Sequence, residues 1–144
     1  MEVKPSPPHP PSPTDPTAAR TGVIKRRLLH RVADAETSHV SIGAGDGIWQ
    51  PWLPGVSIKV LRERDGMLSY LLRLQPGAKL PPHRHPVDEE CVVLEGSVRV
   101  GSNHPLGAGS YHLAHQGALH TAISSPGGAI IFLRGAVPQA DQEL

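Results

Sequence analysis

Glycine and proline interrupt this sequence so often that long regular elements are excluded from most of it. The chain has 144 residues, of which 15 are glycine and 16 are proline. From about residue 38 to residue 136, turn signals such as Pro54-Gly55, Pro76-Gly77 and Ser125-Pro-Gly separate short apolar stretches. Such signals mark turns, and stretches this short suit strands rather than helices. Many short strands with no helix between them predict an all-β sandwich or barrel.

The strands are predicted from runs rich in valine, isoleucine and leucine that end at these turn signals. Nine such runs lie at 39–42, 58–64, 67–74, 80–85, 89–94, 97–100, 111–114, 119–124 and 129–134. Because the runs follow one another closely along a short chain, we assign them to a single β domain over residues 38–136.

The two ends of the chain differ from this domain in composition. Residues 1–16 contain seven prolines, which lack an amide donor and fix φ, so we predict a disordered proline-rich tail over residues 1–20. Ile24, Leu28 and Val32 recur at helical spacing and predict one short N-terminal helix, with a linker, over residues 21–37. Residues 137–144 are predicted to be a polar tail.

Charge, cysteine content and hydropathy exclude several classes of protein. Lysine and arginine number 14 against 13 acidic residues, so the basic excess typical of nucleic-acid binders is missing. One cysteine allows neither an internal disulfide nor a cysteine-based zinc finger. No run approaches the roughly 20 apolar residues of a membrane-spanning helix, and the start lacks a signal-peptide pattern. We therefore expect a cytoplasmic protein with no nucleic-acid or membrane partner.

Histidine is the residue type that points to chemistry. Six of the nine histidines lie between His83 and His120. His83 and His85 share one face of a predicted strand, and a turn at residues 86–88 would bring Glu89 back opposite them. Two imidazoles and a carboxylate suit zinc, iron, manganese, nickel or copper. His120 begins a later strand and is a candidate for a fourth ligand.

These residues also form a pattern that resembles the first motif of the cupin superfamily, G-x5-H-x-H-x3,4-E-x6-G. The chain has Gly77, His83, His85, Glu89 and Gly96 at those spacings.

The second cupin motif, G-x5-P-x-G-x2-H-x3-N, is matched less fully. His115 stands in place of its proline, followed by Gly117 and His120 at the expected spacing, and Ser124 stands in place of its asparagine.

Longer stretches resemble the cupin domain at the end of ChrR-type anti-sigma factors. They lie at 49–61, 69–78, 83–96, 109–113 and 125–128. The resemblance implies a jelly-roll β-barrel with one divalent metal ion per chain, zinc before iron, manganese or nickel. Carried over residue by residue, the metal ligands are His83, His85, Glu89 and His120.

The resemblance does not extend to the part of ChrR-type factors that binds the sigma factor. That separate N-terminal domain holds zinc through a histidine and a cysteine pair, whereas this chain has Cys91 alone. Sigma-factor binding is therefore not expected. We expect a metal-binding sensor or regulatory module; the alternative is a small metal-dependent dioxygenase acting on a small chelating substrate. The sequence does not decide whether the chain is an enzyme.

A homodimer is the expected assembly. Small cupins commonly pair their barrels, and a sheet face that carries Val92 and Leu94 would otherwise be exposed.

Three residues near the motif have alternative interpretations. Glu90 competes with Glu89 because both spacings occur in cupins, but Glu89 also fits the spacing to Gly96. Cys91 is expected to be buried and inert, with a redox sensor as the alternative. His112 is expected at the surface or in the core, with a place beside the metal ligands or at the lip of the pocket as the alternative.

Overall fold

The computed structural model of the chain describes residues 38–138, and this part consists of β-strands joined by turns. The strands are β1 (Gln50–Leu53), β2 (Val56–Arg64), β3 (Met67–Leu74), β4 (Ala78–Leu80), β5 (His83–Arg84), β6 (Glu89–Val100), β7 (Leu106–Gly107), β8 (Tyr111–Ala114), β9 (Leu119–His120), β10 (Ile123–Ser125) and β11 (Ala129–Ala136). The predicted all-β barrel is confirmed. Within residues 38–138, no helix is long and apolar enough to cross a membrane.

One large antiparallel sheet forms most of a nearly closed barrel. Its strand order is β1-β2-β3-β11-β6-β10-β4, and β7 and β8 also pair with β6. Strand β6 is central because its first half pairs with β11 and β8 and its second half with β10 and β7. Strands β5 and β9 form a separate two-stranded sheet. This small sheet carries two of the predicted metal ligands.

Alternation along the central strands builds the barrel interior. On β3 the side chains of Leu68, Tyr70, Leu72 and Leu74 are buried, and those between them are only partly so. Burial of such apolar surface is the dominant stabilising contribution to folding. The inward residues of β11 and β6 join the same core and are Ala129, Ile131, Leu133, Cys91 and Val93. The same alternation turns Glu89, at the start of β6, toward the interior.

Strand β6 changes partners at Gly96, a position that requires glycine. Its φ of 70° lies in the left-handed region, and a Cβ there would collide with the carbonyl oxygen of Gly128. Gly96 pairs with Ala129 of β11 across this close approach. The last glycine of the first motif therefore has a backbone role.

Two predicted strands are each divided in the structure. The prediction over 80–85 is interrupted by Pro81 and Pro82, which cannot donate to a ladder. The single strand predicted over 119–124 is two strands in the structure, β9 and β10, which pair with different strands.

Other strand predictions differ in extent or in place. Residues 39–42 are irregular and precede a glycine-rich segment, so the predicted first strand is wrong. Strands β1 and β7 lie where the sequence predicts none. The predictions over 89–94 and 97–100 merge into β6, because Gly96 stays paired with Ala129 and the strand continues through it.

The predictions for the chain ends lie outside the described residues. They are the tail over residues 1–20, the helix and linker over 21–37, and all but the first two residues of the C-terminal tail. These domain boundaries stay predictions.

Candidate metal centre

Two prolines turn the chain from the large sheet into the small one and so place His83. Strand β4 ends at Leu80 and pairs with β10, whereas β5 begins at His83 and pairs with β9. Pro81 and Pro82 between them lack amide hydrogens, which ends the first ladder. In the small sheet, His83 lies directly opposite His120.

Three histidine rings meet at this place. The ring centroids of His83 and His85 are 4.4 Å apart, and those of His120 are 5.3 Å and 5.2 Å from the other two. One ring nitrogen of each residue lies within 4.8 Å of one nitrogen of both others. His85 and His120 are buried, and His83 is half-buried. We call these three residues the histidine cluster.

Backbone carbonyls determine which nitrogen of two cluster rings carries hydrogen. The Nδ1 atom of His83 is 2.8 Å from the carbonyl oxygen of Pro81, and that of His120 is 3.1 Å from the carbonyl oxygen of Thr121. Because a carbonyl oxygen can only accept, both Nδ1 atoms donate and each neutral ring keeps its lone pair on Nε2. The Nε2 atom of His85 is buried and has no hydrogen-bond partner among the described residues.

The surroundings of the cluster favour neutral imidazole. Burial, and then the neighbouring histidines with His83 first, lower the pKa of His85 from 6.5 to about 4. The same causes lower the pKa of His120 to about 4. Neutral imidazole is the form that ligates a metal, so these two rings are in the ligating form at neutral pH.

Glu89 is a buried carboxyl group next to the cluster. Its Oε2 atom accepts a hydrogen bond of 3.1 Å from the hydroxyl of Tyr70 and lies 3.6 Å from Nδ1 of His85. Burial raises the pKa of Glu89 to about 7, partly opposed by the Tyr70 hydrogen bond. Gly135 leaves space for this carboxyl group, since a Cβ there would lie 3.1 Å from Oε2.

The predicted ligands are therefore not all brought to one point. The three histidines come together, whereas Glu89 lies outside the 4.8 Å group and beside His85. The predicted hairpin that would place Glu89 opposite His83 and His85 is wrong. Strand β5 pairs with β9, and the cross-strand partner of Glu89 is Ala114 on β8.

Glu90, the competing carboxylate, faces away from the cluster. Its Oε1 atom accepts a hydrogen bond of 3.0 Å from the hydroxyl of Tyr111, and its Oε2 atom lies 3.7 Å from Arg134. The carboxylate inside the barrel is that of Glu89.

His112 is nearer the cluster than the sequence analysis expects. Its Nε2 atom is 3.1 Å from Nε2 of His120, and the two ring centroids are 5.2 Å apart. His112 pairs across the strands with the inward-facing Cys91, so strand alternation was the signal that could have placed it there. Of the two interpretations of His112, the place beside the predicted ligands is the one that this contact favours.

The single cysteine is buried beside these residues. Burial, and then the charge of Glu89, raise the pKa of the Cys91 thiol to about 12. Since the thiolate is the reactive form, this environment favours the inert interpretation over the redox sensor.

Tyr70 is a site residue whose orientation the sequence did not reveal. It shares its parity on β3 with the buried Leu68 and Leu72, and this was the signal available. Burial, and then the charge of Glu89, raise the pKa of the Tyr70 hydroxyl, so it remains a hydrogen-bond donor at neutral pH.

A cavity of about 440 Å³ opens beside the cluster. Its polar lining includes Tyr70, His83, His85 and Glu89, and most of its other walls are apolar, among them Trp52 and Leu133. This volume and lining are typical of sites for small molecules.

The donor set fits a divalent metal ion. The imidazoles of His85 and His120 are neutral, and Nδ1 of His83 already donates its hydrogen to a backbone carbonyl group. The three rings present nitrogens within 4.8 Å of one another. The buried Nε2 atom of His85 lacks a hydrogen-bond partner in the described part of the chain, and a metal bond would satisfy it. Imidazole suits zinc, copper, iron and nickel.

Residues 37–137 match the ChrR cupin-like domain. The chain belongs to this family. The matched segment includes every strand of the barrel and the whole histidine cluster. None of the curated proteins matches the chain.

Solved structures with similar folds include an acetylacetone dioxygenase and two proteins described as RmlC-like cupins. An acetylacetone dioxygenase from Acinetobacter johnsonii is 18% identical with a TM-score of 0.60, over 71% of this chain and 75% of the other. An RmlC-like cupin from Ralstonia eutropha is 21% identical with a TM-score of 0.63, over 72% and 71%. An RmlC-like cupin from Shewanella frigidimarina is 20% identical with a TM-score of 0.61, over 73% and 96%. At such low sequence identities, the structural similarity shows that these proteins share a fold with this chain.

Proposed function

We propose that this ChrR cupin-like protein is a metal-binding module with a sensing or regulatory role. One divalent metal ion per chain, zinc in this proposal, is held by His83, His85 and His120. Glu89 is the fourth ligand predicted from the sequence and stays a prediction. The observation that carries the proposal is the set of three imidazoles whose nitrogens lie within 4.8 Å of one another, two of which, those of His83 and His85, line the cavity.

The chain organises this site through its own contacts. The carbonyl groups of Pro81 and Thr121 hold the rings of His83 and His120 through Nδ1, and Glu89 lies at Nδ1 of His85. Such contacts orient ligating imidazoles. A bound metal supplies a Lewis acid to which a small molecule with oxygen or nitrogen donors can attach.

The cavity supports a sensing role because it gives a small molecule access to the cluster. Tyr70 and Glu89 line it beside His83 and His85, so an occupant would meet both hydrogen-bonding groups and the ligand set. The family relation to ChrR cupin-like domains supports regulation rather than turnover as the purpose of that binding.

A dioxygenase is the second candidate, and the size of the cavity favours it. A volume of about 440 Å³ beside three imidazoles admits a small chelating substrate. Iron held by three histidines keeps positions for substrate and oxygen. One protein of similar fold is an acetylacetone dioxygenase, which makes a diketone a reasonable first substrate to test.

Metal analysis of the purified full-length protein tests the proposal. We expect one zinc ion per chain in the wild type and loss of that ion in His83→Ala and in His85→Ala. The control is His104→Ala, because His104 is exposed in the turn between β6 and β7. Equal metal content in all of these proteins would contradict the assignment.

Oxygen uptake separates the two candidates. The iron-loaded protein is mixed with a β-diketone or a small thiol, and dissolved oxygen is followed. Sustained uptake with either substrate would replace the regulatory proposal by the dioxygenase. Zinc at one ion per chain, with no uptake after iron loading, would support the regulatory role.

A further inference from the structure

We propose that Arg84 and Asp88 are positioning residues for the metal ligands, because their side chains hold the connection between β8 and β9 against β5. This inference rests on the proposed function, since it concerns the metal held by the histidine cluster. It assigns a role to two exposed charged residues that the cupin motif does not specify.

The strand pair that carries two of the cluster residues is short. Strands β5 and β9 have two residues each, and they pair His83 with His120 and Arg84 with Leu119. Such a small pair of strands is not stable by itself. His85, the third cluster residue, lies just beyond the end of β5. Contacts outside this ladder are therefore needed to keep the three rings together.

The connection between β8 and β9 supplies one such contact through its backbone. It spans residues 115–118 and leads directly into β9, so its position affects where His120 lies. The backbone amide of Gly117 donates a hydrogen bond of 2.9 Å to the carbonyl oxygen of His85. This bond continues the pairing of β5 and β9 beyond Arg84, and it joins the two backbone segments that carry His85 and His120.

Two charged side chains hold the same connection. The Oδ1 atom of Asp88 accepts a hydrogen bond of 2.7 Å from the backbone amide of Gln116. The Nη1 atom of Arg84 donates a hydrogen bond of 2.9 Å to the carbonyl oxygen of Gly117. Hydrogen bonds that involve a charged group are stronger than those between neutral groups. We call these two hydrogen bonds the clasp.

The clasp joins the segments from which the metal ligands project. Arg84 lies between His83 and His85, Asp88 lies three residues after His85, and the segment that they hold leads to His120. Both side chains are exposed and bind backbone groups, so they act on the metal through the positions of its ligands. Ligands that are already held in place lose less conformational entropy when the metal binds. Loss of the clasp should therefore weaken metal binding.

Zinc affinity of the full-length protein tests this role. It is measured by competition with a chromophoric chelator, at a temperature at which circular dichroism shows every chelator-treated protein to be folded. We expect affinity reduced at least about tenfold in Asp88→Ala. Asp88→Asn should restore affinity toward the wild type, because its amide oxygen can still accept from Gln116. The control is Glu95→Ala, which removes an exposed carboxylate from the part of β6 that pairs with β11 and should leave affinity unchanged.

Amide hydrogen exchange tests the clasp without any metal. In the chelator-treated protein, the amide of Gly117 should exchange faster in Asp88→Ala than in the wild type and in Asp88→Asn, because its bond to His85 opens more often. Unchanged exchange in Asp88→Ala would overturn the inference.

Two results of the zinc measurement would also overturn the inference. One is equal affinity in the wild type and Asp88→Ala. The other is an affinity of Asp88→Asn as low as that of Asp88→Ala, which would show that the hydrogen bond is not the cause. If Asp88→Ala does not fold, Arg84→Met removes the other half of the clasp and should lower affinity in the same way. A wild type that binds no stoichiometric zinc would instead contradict the proposed function.

Discussion

Glu89 is a carboxyl group buried inside an apolar barrel, and its position has a measurable effect on stability. Burial raises its pKa from 4.5 to about 7 in the folded protein. A carboxyl group whose pKa is higher in the folded protein than in the unfolded chain stabilises the folded state. This stabilisation is complete below the pKa of the unfolded chain and is lost as the pH rises through the pKa of the folded protein. Between about pH 4.5 and pH 7, the free energy of unfolding therefore decreases, because Glu89 ionises in the unfolded chain while burial keeps it protonated in the barrel.

We predict that Glu89→Gln removes this pH dependence from the metal-free protein. Relative to the wild type, the free energy of unfolding of the variant should increase by up to about 3 kcal/mol between pH 4.5 and pH 8. Urea denaturation of chelator-treated protein at several pH values measures the difference. Since the histidines titrate in both proteins, their contribution cancels in the comparison.

Tyr70→Phe is the matched variant for this prediction. It removes the hydrogen bond that lowers the pKa of Glu89, so the loss of stability with rising pH should become larger than in the wild type. Parallel pH profiles for wild type and Glu89→Gln would show that Glu89 does not titrate in a buried environment.

Single residues also show how much of the site can be predicted from the sequence. The spacing of His83 and His85 was sufficient to select them, and strand alternation separates Glu89 from Glu90. Which nitrogen of each ring faces the cluster could not be predicted. That choice depends on carbonyl groups and side chains that the fold brings close, such as Nε2 of His112 at 3.1 Å from His120.

At the scale of elements, hydrophobic periodicity predicted most strands but not their partners. Strand β3 alternates over its whole length, and its prediction over 67–74 agrees with the observed bounds. Strand β5 has two residues and pairs with β9, more than thirty residues later in the chain. A pair so short has no periodicity of its own, and it forms because the rest of the barrel brings both segments together.

The pairing of β6 and β11 near Gly96 leads to a prediction about stability. Gly96→Ala should lower the free energy of unfolding by more than about 2 kcal/mol, because a left-handed φ and a collision with a carbonyl group both oppose a Cβ. The control is Gly107→Ala on β7, where a Cβ would meet no atom within 4 Å. Urea denaturation of both variants measures the effect. Equal stability would contradict the described register of β6 and β11.

At the scale of the whole molecule, apolar side chains are exposed on one outer face of the barrel. Strands β6 and β8 pair there, and Val92 lies opposite Tyr111. Leu94, Tyr111 and Leu113 are 47%, 55% and 36% exposed. Exposed apolar side chains close together are typical of surfaces that bind another protein. This face supports the homodimer expected from the sequence, which remains a prediction.

We predict that the full-length protein is a homodimer that pairs through this face, and that Leu94→Glu converts it to a monomer. A twofold interface brings the same surface of both subunits together, so one substitution places two carboxylates in the contact. Light scattering at micromolar concentration should give about twice the chain mass of 15.4 kDa for the wild type and the chain mass for the variant. Ile48→Glu is the control, since Ile48 is 56% exposed but precedes β1, which three strands separate from β6 in the large sheet. A monomeric wild type would contradict the dimer, and a dimeric Leu94→Glu protein would exclude this face as its interface.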